Sequence, residues 1–210
     1  MSSSLLDQAV RGEAFPEPLT TDQYHRMIEA GILVEGAPIE LIDGLLIRKD
    51  RRSSERDSIM TVGPDHVSIV QLLQRILDRL VEPSGHHARC QQPIHIPPRH
   101  EPEPDIAVVR GPIQSYGQTH PEPRDVFLVV EVAESSLRYD RDTKQRVYAS
   151  AAIPQYWIVN LIDRCVEVYT QPDESTAAYS LRQDFTTGQT VELDVEGQTL
   201  SLDVDAIFAT

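Results

Sequence analysis

The residues from Val126 to Val132 form a nearly continuous apolar run that contains a single acid, Glu131. Such a run is typical of a central β-strand whose two faces are both covered by other elements. Burying an ionised carboxylate in this strand would cost several kcal/mol of hydration free energy, unless a paired charge or a bound metal compensated for it. The run therefore predicts a sheet covered on both sides and a partner for Glu131, either a metal ion or one of the arginines.

A second acid, Asp105, opens the preceding extended stretch, which runs from Asp105 to Arg110. A proline followed by an aspartate before a strand is also common as a turn or cap, so Asp105 alone identifies no site. Asp105 and Glu131 together are a stronger indication of a site, because carboxylates on neighbouring strands supply the hard oxygen ligands that Mg²⁺ or Mn²⁺ prefers. The pair predicts a metal site.

Lys144 follows these two acids and is one of only two lysines, the other being Lys49, among nineteen positive side chains. A compact ammonium beside a metal site can position water and offset negative charge. Lys144 lies in a helix predicted from Asp140 to Ala152, with Asp140 as its cap. Their i, i+4 spacing places Asp140 and Lys144 on one helix face, so an exposed surface ion pair is the alternative.

Helices and strands alternate along the rest of the chain. The other predicted elements are a capped helix from Thr20 to Gly31, a hairpin from Pro38 to Arg48 around Asp43-Gly44, a helix from His66 to Val81, a strand from Ala88 to Ile96, a hairpin from Gln155 to Thr170 and short strands in the tail. This order predicts an α/β (α+β) fold with a mixed sheet flanked by helices.

A length of 210 residues suits one domain with a single well-buried core. We expect an N-terminal extension over 1–19, a core over 20–170, and acidic strands over 171–210 that pack on the same domain. The composition is that of a soluble protein, and no apolar run reaches the length of a membrane helix. We expect a cytoplasmic protein with Cys90 and Cys165 as thiols.

The formal net charge of −14 argues against a protein that coats nucleic acid by bulk electrostatics. Residues 171–210 carry eight acids against one arginine. An early cluster is basic and comprises Arg48, Lys49, Arg51, Arg52 and Arg56. This cluster is either a local cationic surface or a solvated loop.

The histidines show no metal-ligand spacing. Five of them lie in or near predicted loops, without cysteine partners or i, i+4 pairs: His86, His87, His95, His100 and His120. The spacing therefore predicts no structural zinc site. His66 stands at the start of its predicted helix, where the helix dipole disfavours a charged imidazole, or else lies near the active site.

A set of ordered motifs carries a family resemblance. They are Ile39-Glu40-Leu41-Ile42-Asp43-Gly44, Glu103-Pro104-Asp105, Leu128-Val129-Val130-Glu131-Val132, Arg138-Tyr139-Asp140 with Lys144, Tyr148-Ala149, Ile153 to Val159, and Val166-Glu167-Val168-Tyr169. Over residues 20 to 170 the chain resembles the bacterial putative restriction endonuclease family of the PD-(D/E)xK nuclease superfamily. The superfamily lysine normally lies two positions after the second acid, which here is Ala133. In the resembling family that lysine is moved to the following helix, and Lys144 matches it.

The resemblance implies a restriction-endonuclease-like fold and a metal-dependent endonuclease that hydrolyses DNA phosphodiester bonds. Asp105 and Glu131 would hold Mg²⁺ (or Mn²⁺), Lys144 would position water, and Glu40 would assist from the N-terminal hairpin. Glu40 could instead be a solvated hairpin residue. Four further residues are candidates for a supporting layer around the site: Gln92, Asp140, His66 and Tyr139.

Two other functions stay open at this point. A non-catalytic or regulatory module could keep the nuclease fold and bind another protein, which the acidic surface favours. A two-carboxylate sugar hydrolase would need acids in different environments, and Lys144 speaks against it. Endonucleases that cut both strands commonly work as dimers, so we expect a homodimer joined through the acidic C-terminal strands or the hairpin near Trp157.

Overall fold

The computed structural model describes Gly12 and residues 15–34, 36–49 and 63–209. Its first helix, α1, spans Thr21–Glu29. The Thr20 hydroxyl accepts a hydrogen bond from the N–H of Gln23, and the Gln23 side chain accepts one from the N–H of Thr20. This reciprocal capping box satisfies two of the backbone donors at the helix start, and the predicted helix is confirmed.

The predicted N-terminal hairpin is also confirmed, with β1 at Ile39–Ile42 and β2 at Leu45–Arg48. Both turn residues have positive φ, 54° at Asp43 and 74° at Gly44. A Cβ at Gly44 would lie only 2.5 Å from the Cβ of Pro18. The turn therefore needs glycine there for both its backbone conformation and its close contact.

A six-stranded mixed sheet forms the centre of the molecule. Its strands are β3 (His87–Cys90), β4 (Ile106–Val109), β5 (Val126–Ala133), β6 (Gln155–Asn160), β7 (Cys165–Asp173) and β8 (Ala178–Thr186). They lie side by side in chain order, and only β5 and β6 run parallel. This arrangement confirms the predicted mixed α/β fold.

Two helices cover opposite faces of the sheet. Helix α2 spans Pro64–Val81. Helix α3 joins the parallel strands and consists of Leu137–Tyr139, a π-helical turn over Asp140–Lys144, and Gln145–Ser150. A parallel pair requires such a crossover, because a tight turn can join only antiparallel strands.

Side chains of β5 point alternately to the two faces of the sheet, and this alternation determines which helix each of them packs against. Val130 and Val132 belong to the buried cluster that contains the apolar residues of α2. Val129 and Ala133 belong to the other cluster, with Tyr148 of α3. Because side chains alternate between faces, Glu131 shares the face of Val129 and Ala133 and lies under α3.

The C-terminal strands extend this framework. Strand β8 pairs with β7, while β9 (Thr190–Val195) and β10 (Gln198–Asp203) form a separate hairpin, followed by the short helix α4 at Val204–Ile207. In β9 the odd-numbered residues Val191, Leu193 and Val195 are buried and join the α2-side cluster. The acidic residues alternate with them and face outward.

Two predicted element boundaries are wrong. The stretch predicted as a strand to Ile96 ends at Cys90, because Gln91 has a positive φ of 50° and Pro93 has no N–H to donate. Asp140 does not cap its helix. Helix α3 already begins at Leu137, and Asp140 has helical backbone angles inside it.

Trp157 lies in the core, with none of its surface exposed, and its strand β6 is paired on both sides. Trp157 therefore offers no interface surface, and the expected homodimer stays a prediction. Among the described residues no helix is long and apolar enough to cross a membrane. Of the early basic cluster only Arg48 and Lys49 are described, and the other three arginines lie outside the described residues.

Candidate active site

Glu131 receives the contacts that its buried position demands. Only 7% of the residue is exposed. Its Oε1 accepts a hydrogen bond of 2.8 Å from the hydroxyl of Tyr148 and lies 3.3 Å from the Nζ of Lys144. Its Oε2 accepts a 3.3 Å hydrogen bond from the backbone N–H of Asp105. A helix side chain and a neighbouring strand thus meet at one carboxylate.

Asp105 lies directly before β4, next to Glu131 on β5. Its Oδ2 accepts a 2.9 Å hydrogen bond from the N–H of Val132 and lies 3.2 Å from the Nε2 of His66. Its Oδ1 accepts from the Gln91 side chain at 3.3 Å. Burial alone would raise the pKa of Asp105, but the hydrogen bonds and the charge of His66 outweigh it and lower that pKa.

Glu40 reaches this centre from the N-terminal hairpin. Leu41 forms an isolated β-bridge with Glu101, which holds β1 beside the segment that leads to Asp105. The Glu40 carboxylate is only 2% exposed, and it accepts hydrogen bonds from the Glu103 N–H at 3.3 Å and from the Tyr139 hydroxyl at 3.4 Å. Glu40 is therefore a buried residue and not a solvated one.

The ammonium of Lys144 lies between Glu40 and Glu131. It donates to Glu40 Oε2 at 2.7 Å and is 3% exposed, so the alternative of an exposed pair with Asp140 is wrong. Burial by itself would lower the pKa of Lys144. The negative charges of Glu131 and Glu40 outweigh this effect and raise the pKa, so the ammonium stays charged.

The site holds more negative charge than its lysine can balance. Burial raises the pKa of Glu131, the charge of Lys144 offsets part of that rise, and the charges of Asp105 and Glu40 add to it. Asp140 is 4% exposed, and among the described residues no hydrogen-bond partner reaches its Oδ2. A buried group of acids of this kind favours a further cation, or a proton on one of the carboxylates.

Asp140 gives the site a pH dependence that can be measured. Burial, followed by the charge of Glu131, raises its pKa from 3.8 to about 7. Between these values the folded protein holds a proton that the unfolded chain has released. The free energy of unfolding therefore falls as the pH rises from about 4 to about 7, and this contribution is constant above pH 7.

We expect Asp140→Asn to remove this dependence and to raise the free energy of unfolding at pH 8 by about 1–3 kcal/mol. Urea denaturation in EDTA at pH 5 and pH 8 measures both effects. The matched control is Asp142→Asn in the same helix, where the side chain is 67% exposed and pairs with Arg138. A wild-type pH dependence in Asp140→Asn would contradict the assignment of the raised pKa.

The structure corrects one predicted residue and adds two. Among the described residues no hydrogen bond joins Gln92 to the site, whereas its neighbour Gln91, which is also exposed, contacts Asp105. The prediction did not include Gln91, because it extended the strand to Ile96, whereas the strand ends at Cys90. The prediction also omitted Tyr148, although its position four residues after Lys144 places both side chains on one side of the helix.

The structure places the other predicted supporting residues at the site. His66 contacts Asp105, Tyr139 contacts Glu40, and Asp140 lies buried nearby.

Glu167 is a buried acid that is paired with arginines, in contrast to Glu131. It lies on the same sheet face as Glu131, since the register runs from Glu131 to Ile158 on β6 and from Ile158 to Glu167 on β7. Its carboxylate pairs with Arg141 and with Arg182, the latter at 3.2 Å. Burial would raise the pKa of Glu167, but hydrogen bonds from Arg141, Asn160 and Tyr169, together with the charge of Arg182, outweigh it and lower the pKa. Glu131 has no arginine partner of this kind among the described contacts.

The donor set fits a hard divalent cation. Among the described residues, Asp105 Oδ1 and Glu131 Oε2 each accept a single long hydrogen bond, of 3.3 Å. Mg²⁺ is usually bound through one or two carboxylates, with water completing its coordination. The surplus of buried negative charge around Lys144 supplies the electrostatic reason for such an ion.

Comparisons with known proteins agree with this geometry. The structure is similar to that of "a putative nuclease belonging to DUF820" from Anabaena variabilis ATCC 29413, with a TM-score of 0.63 and 18% identity, covering 91% of this chain and 98% of that chain. At this identity the likeness shows the fold alone. No curated protein matches the sequence.

The family Uma2, described as "Putative restriction endonuclease", matches residues 21–205, which confirms the resemblance seen in the motifs. The chain therefore belongs to the Uma2 family.

Proposed function

We propose that the protein is a metal-dependent endonuclease that hydrolyses DNA phosphodiester bonds. The observation that carries the proposal is the meeting of Asp105, Glu131 and Lys144 in one largely buried centre, from three separate parts of the chain. Membership of the family described as "Putative restriction endonuclease" supports the substrate class. The Anabaena protein, described as "a putative nuclease", has a similar fold.

Asp105 and Glu131 are the residues that would hold Mg²⁺ or Mn²⁺, through carboxylate oxygens. When bound, the ion would lower the pKa of the attacking water and offset charge that develops on the phosphate. Asp105 has 15% of its side chain exposed, against 9% for Glu131. The substrate would therefore approach from the side of Asp105.

Lys144 would orient the attacking water and stabilise negative charge on the phosphate. An ammonium has three N–H donors; one donates to Glu40, while Glu131 lies 3.3 Å away as an ion-pair partner. A remaining donor would be directed at water or at a phosphate oxygen. Because the two carboxylates fix the ammonium before substrate binds, little reorganisation is needed during the reaction.

The surrounding residues keep the two metal-binding carboxylates in place. His66 and Gln91 each contact one oxygen of Asp105, while Tyr148 donates to Glu131. Such outer contacts orient ligands, and their loss typically lowers metal affinity or activity by about 10–100-fold. We assign His66, Gln91 and Tyr148 this positioning role.

Cleavage of supercoiled plasmid tests the proposal. We expect nicked or linear DNA to form in Mg²⁺ or Mn²⁺, and EDTA to abolish the reaction because the carboxylates then hold no ion. Calorimetric titration of the metal-free protein with Mn²⁺ measures binding independently of cleavage. A protein that neither binds Mn²⁺ nor cuts plasmid would contradict the proposal and favour a non-catalytic protein-binding module.

A further inference from the structure

A second polar cluster lies apart from the candidate active site and is centred on Glu101. This carboxylate is 3% exposed, yet three imidazoles surround it. The Nε2 of His25 lies 2.7 Å from Glu101 Oε1, and the Nδ1 of His95 lies 3.0 Å from Oε2. The Nε2 of His120 lies 4.0 Å from Oε1. No step of the proposed nuclease reaction uses any of these four residues.

Three separate segments bring these four side chains together, because His95 and Glu101 share the connection between β3 and β4. His25 belongs to α1, His95 follows β3, Glu101 precedes Asp105, and His120 lies between β4 and β5. The backbone of Glu101 is fixed by its bridge to Leu41. The rings of His25 and His95 stack with their centroids 5.4 Å apart. The cluster is therefore part of the folded framework and not a chance meeting of surface side chains.

The chemistry of this cluster differs from that of Asp105 and Glu131. Imidazole nitrogens with one carboxylate are ligands for Zn²⁺ and similar transition metals, whereas Mg²⁺ prefers oxygen alone. Ligand atoms of His25, His95 and Glu101 all lie within 4.8 Å of one another. Tetrahedral zinc, with bonds of about 2.0–2.1 Å, needs donors roughly 3.3 Å apart. Small side-chain shifts would provide this spacing.

We propose that His25, His95 and Glu101 bind one transition-metal ion of the Zn²⁺ class, with His120 as the fourth ligand. The ion fastens α1 to the loops that lead to the sheet, across the 76 residues that separate His25 from Glu101. Its route from solvent is open, because the side chains of His25 and His120 are 38% and 40% exposed. They line a cavity of about 940 Å³ that also reaches Gln91, the residue that contacts Asp105.

Titration of metal-free wild-type protein with Co²⁺ in excess Mg²⁺ tests this site without reference to cleavage. Magnesium occupies oxygen-only sites, so visible absorption typical of tetrahedral Co²⁺ with nitrogen ligands reports the histidine cluster. We expect saturation at one equivalent, reversal by Zn²⁺, and a rise in melting temperature of about 5 °C or more at saturating Zn²⁺.

Variants identify the ligands. We expect His25→Ala and His95→Ala each to weaken Co²⁺ binding by at least about 10-fold, since each removes one ligand. His100→Gln, a histidine outside the cluster, and Glu131→Gln, in the candidate active site, are expected to keep the wild-type spectrum. Absence of tetrahedral Co²⁺ absorption in the wild type, or unchanged binding in both alanine variants, would overturn the proposal. Because binding is read directly, the site stands or fails independently of the nuclease function.

Discussion

Replacing Lys144 with methionine is expected to lower the free energy of unfolding by about 3–5 kcal/mol, because it leaves two buried carboxylates without their cation. Glu40 lies 2.7 Å and Glu131 3.3 Å from the ammonium that would be lost. Plasmid cleavage is expected to fall by about 10²–10³-fold, the usual effect of removing a prearranged donor from an active site. Urea denaturation and initial cleavage rates measure the two effects.

The chain supplies its own control, because Lys49 is the only other lysine. Its ammonium lies 3.1 Å from Glu103, and 29% of its side chain is exposed. Lys49→Met should therefore cost no more than about 1 kcal/mol and leave cleavage near the wild-type rate. Wild-type cleavage by Lys144→Met would remove Lys144 from the mechanism.

A double variant separates loss of folding from loss of chemistry. In Lys144→Met combined with Glu40→Gln, one of the two uncompensated charges is gone. We expect the free energy of unfolding to recover in part, while cleavage stays low because no ammonium is present. Recovery of cleavage together with stability would show that Lys144 acts only through folding.

The second large effect is expected for Glu131→Gln, which should lower cleavage by at least about 10²-fold. The amide has nearly the same shape and can still accept from Tyr148, so the variant should fold. Lys144 also keeps its closer partner, Glu40. The loss should appear as weaker Mn²⁺ binding in calorimetry and as slower cleavage, because a neutral amide is a poor ligand for a hard cation.

Glu167→Gln is the matched control for this variant. Glu167 is 0% exposed, against 7% for Glu131, and lies on the same sheet face, but it is paired with arginines. We expect a loss of about 1–3 kcal/mol in the free energy of unfolding and retained cleavage. Equal cleavage by Glu131→Gln and wild type would exclude Glu131 as a metal ligand in the reaction. Loss of cleavage in folded Glu167→Gln would show that the effect is not specific to Glu131.

Local chemistry explains the elements that sequence patterns predicted well. The capping box at Thr20, the turn at Asp43-Gly44 and the apolar spacing of α2 each involve residues close together in the chain. Such signals act within a few residues and need no knowledge of the rest of the fold. The buried strand around Glu131 could be predicted for the same reason, because its apolar run is nearly continuous.

Predictions were less accurate for residues whose positions depend on contacts with distant parts of the chain. Gln92 was predicted to reach the site from a strand that runs to Ile96, but the strand ends at Cys90, and the side chain that contacts Asp105 is that of Gln91, with its positive φ. Asp140 carries a residue type that suits a helix cap, but packing places it inside α3. The histidine cluster has no local signature in the sequence, because its members come from three separate segments and show no metal-ligand spacing.

Residue types and local periodicity predicted the mixed sheet and the buried acid at Glu131, and the ordered motifs carried the family resemblance. The cation that reaches Glu131 could be identified only from the three-dimensional packing. Lys144 and Glu40 are 104 residues apart, and they meet because α3 crosses over the face of β5 while the β1 hairpin is held against the segment before β4. Contacts at that separation follow from packing of the whole fold, which no local pattern specifies.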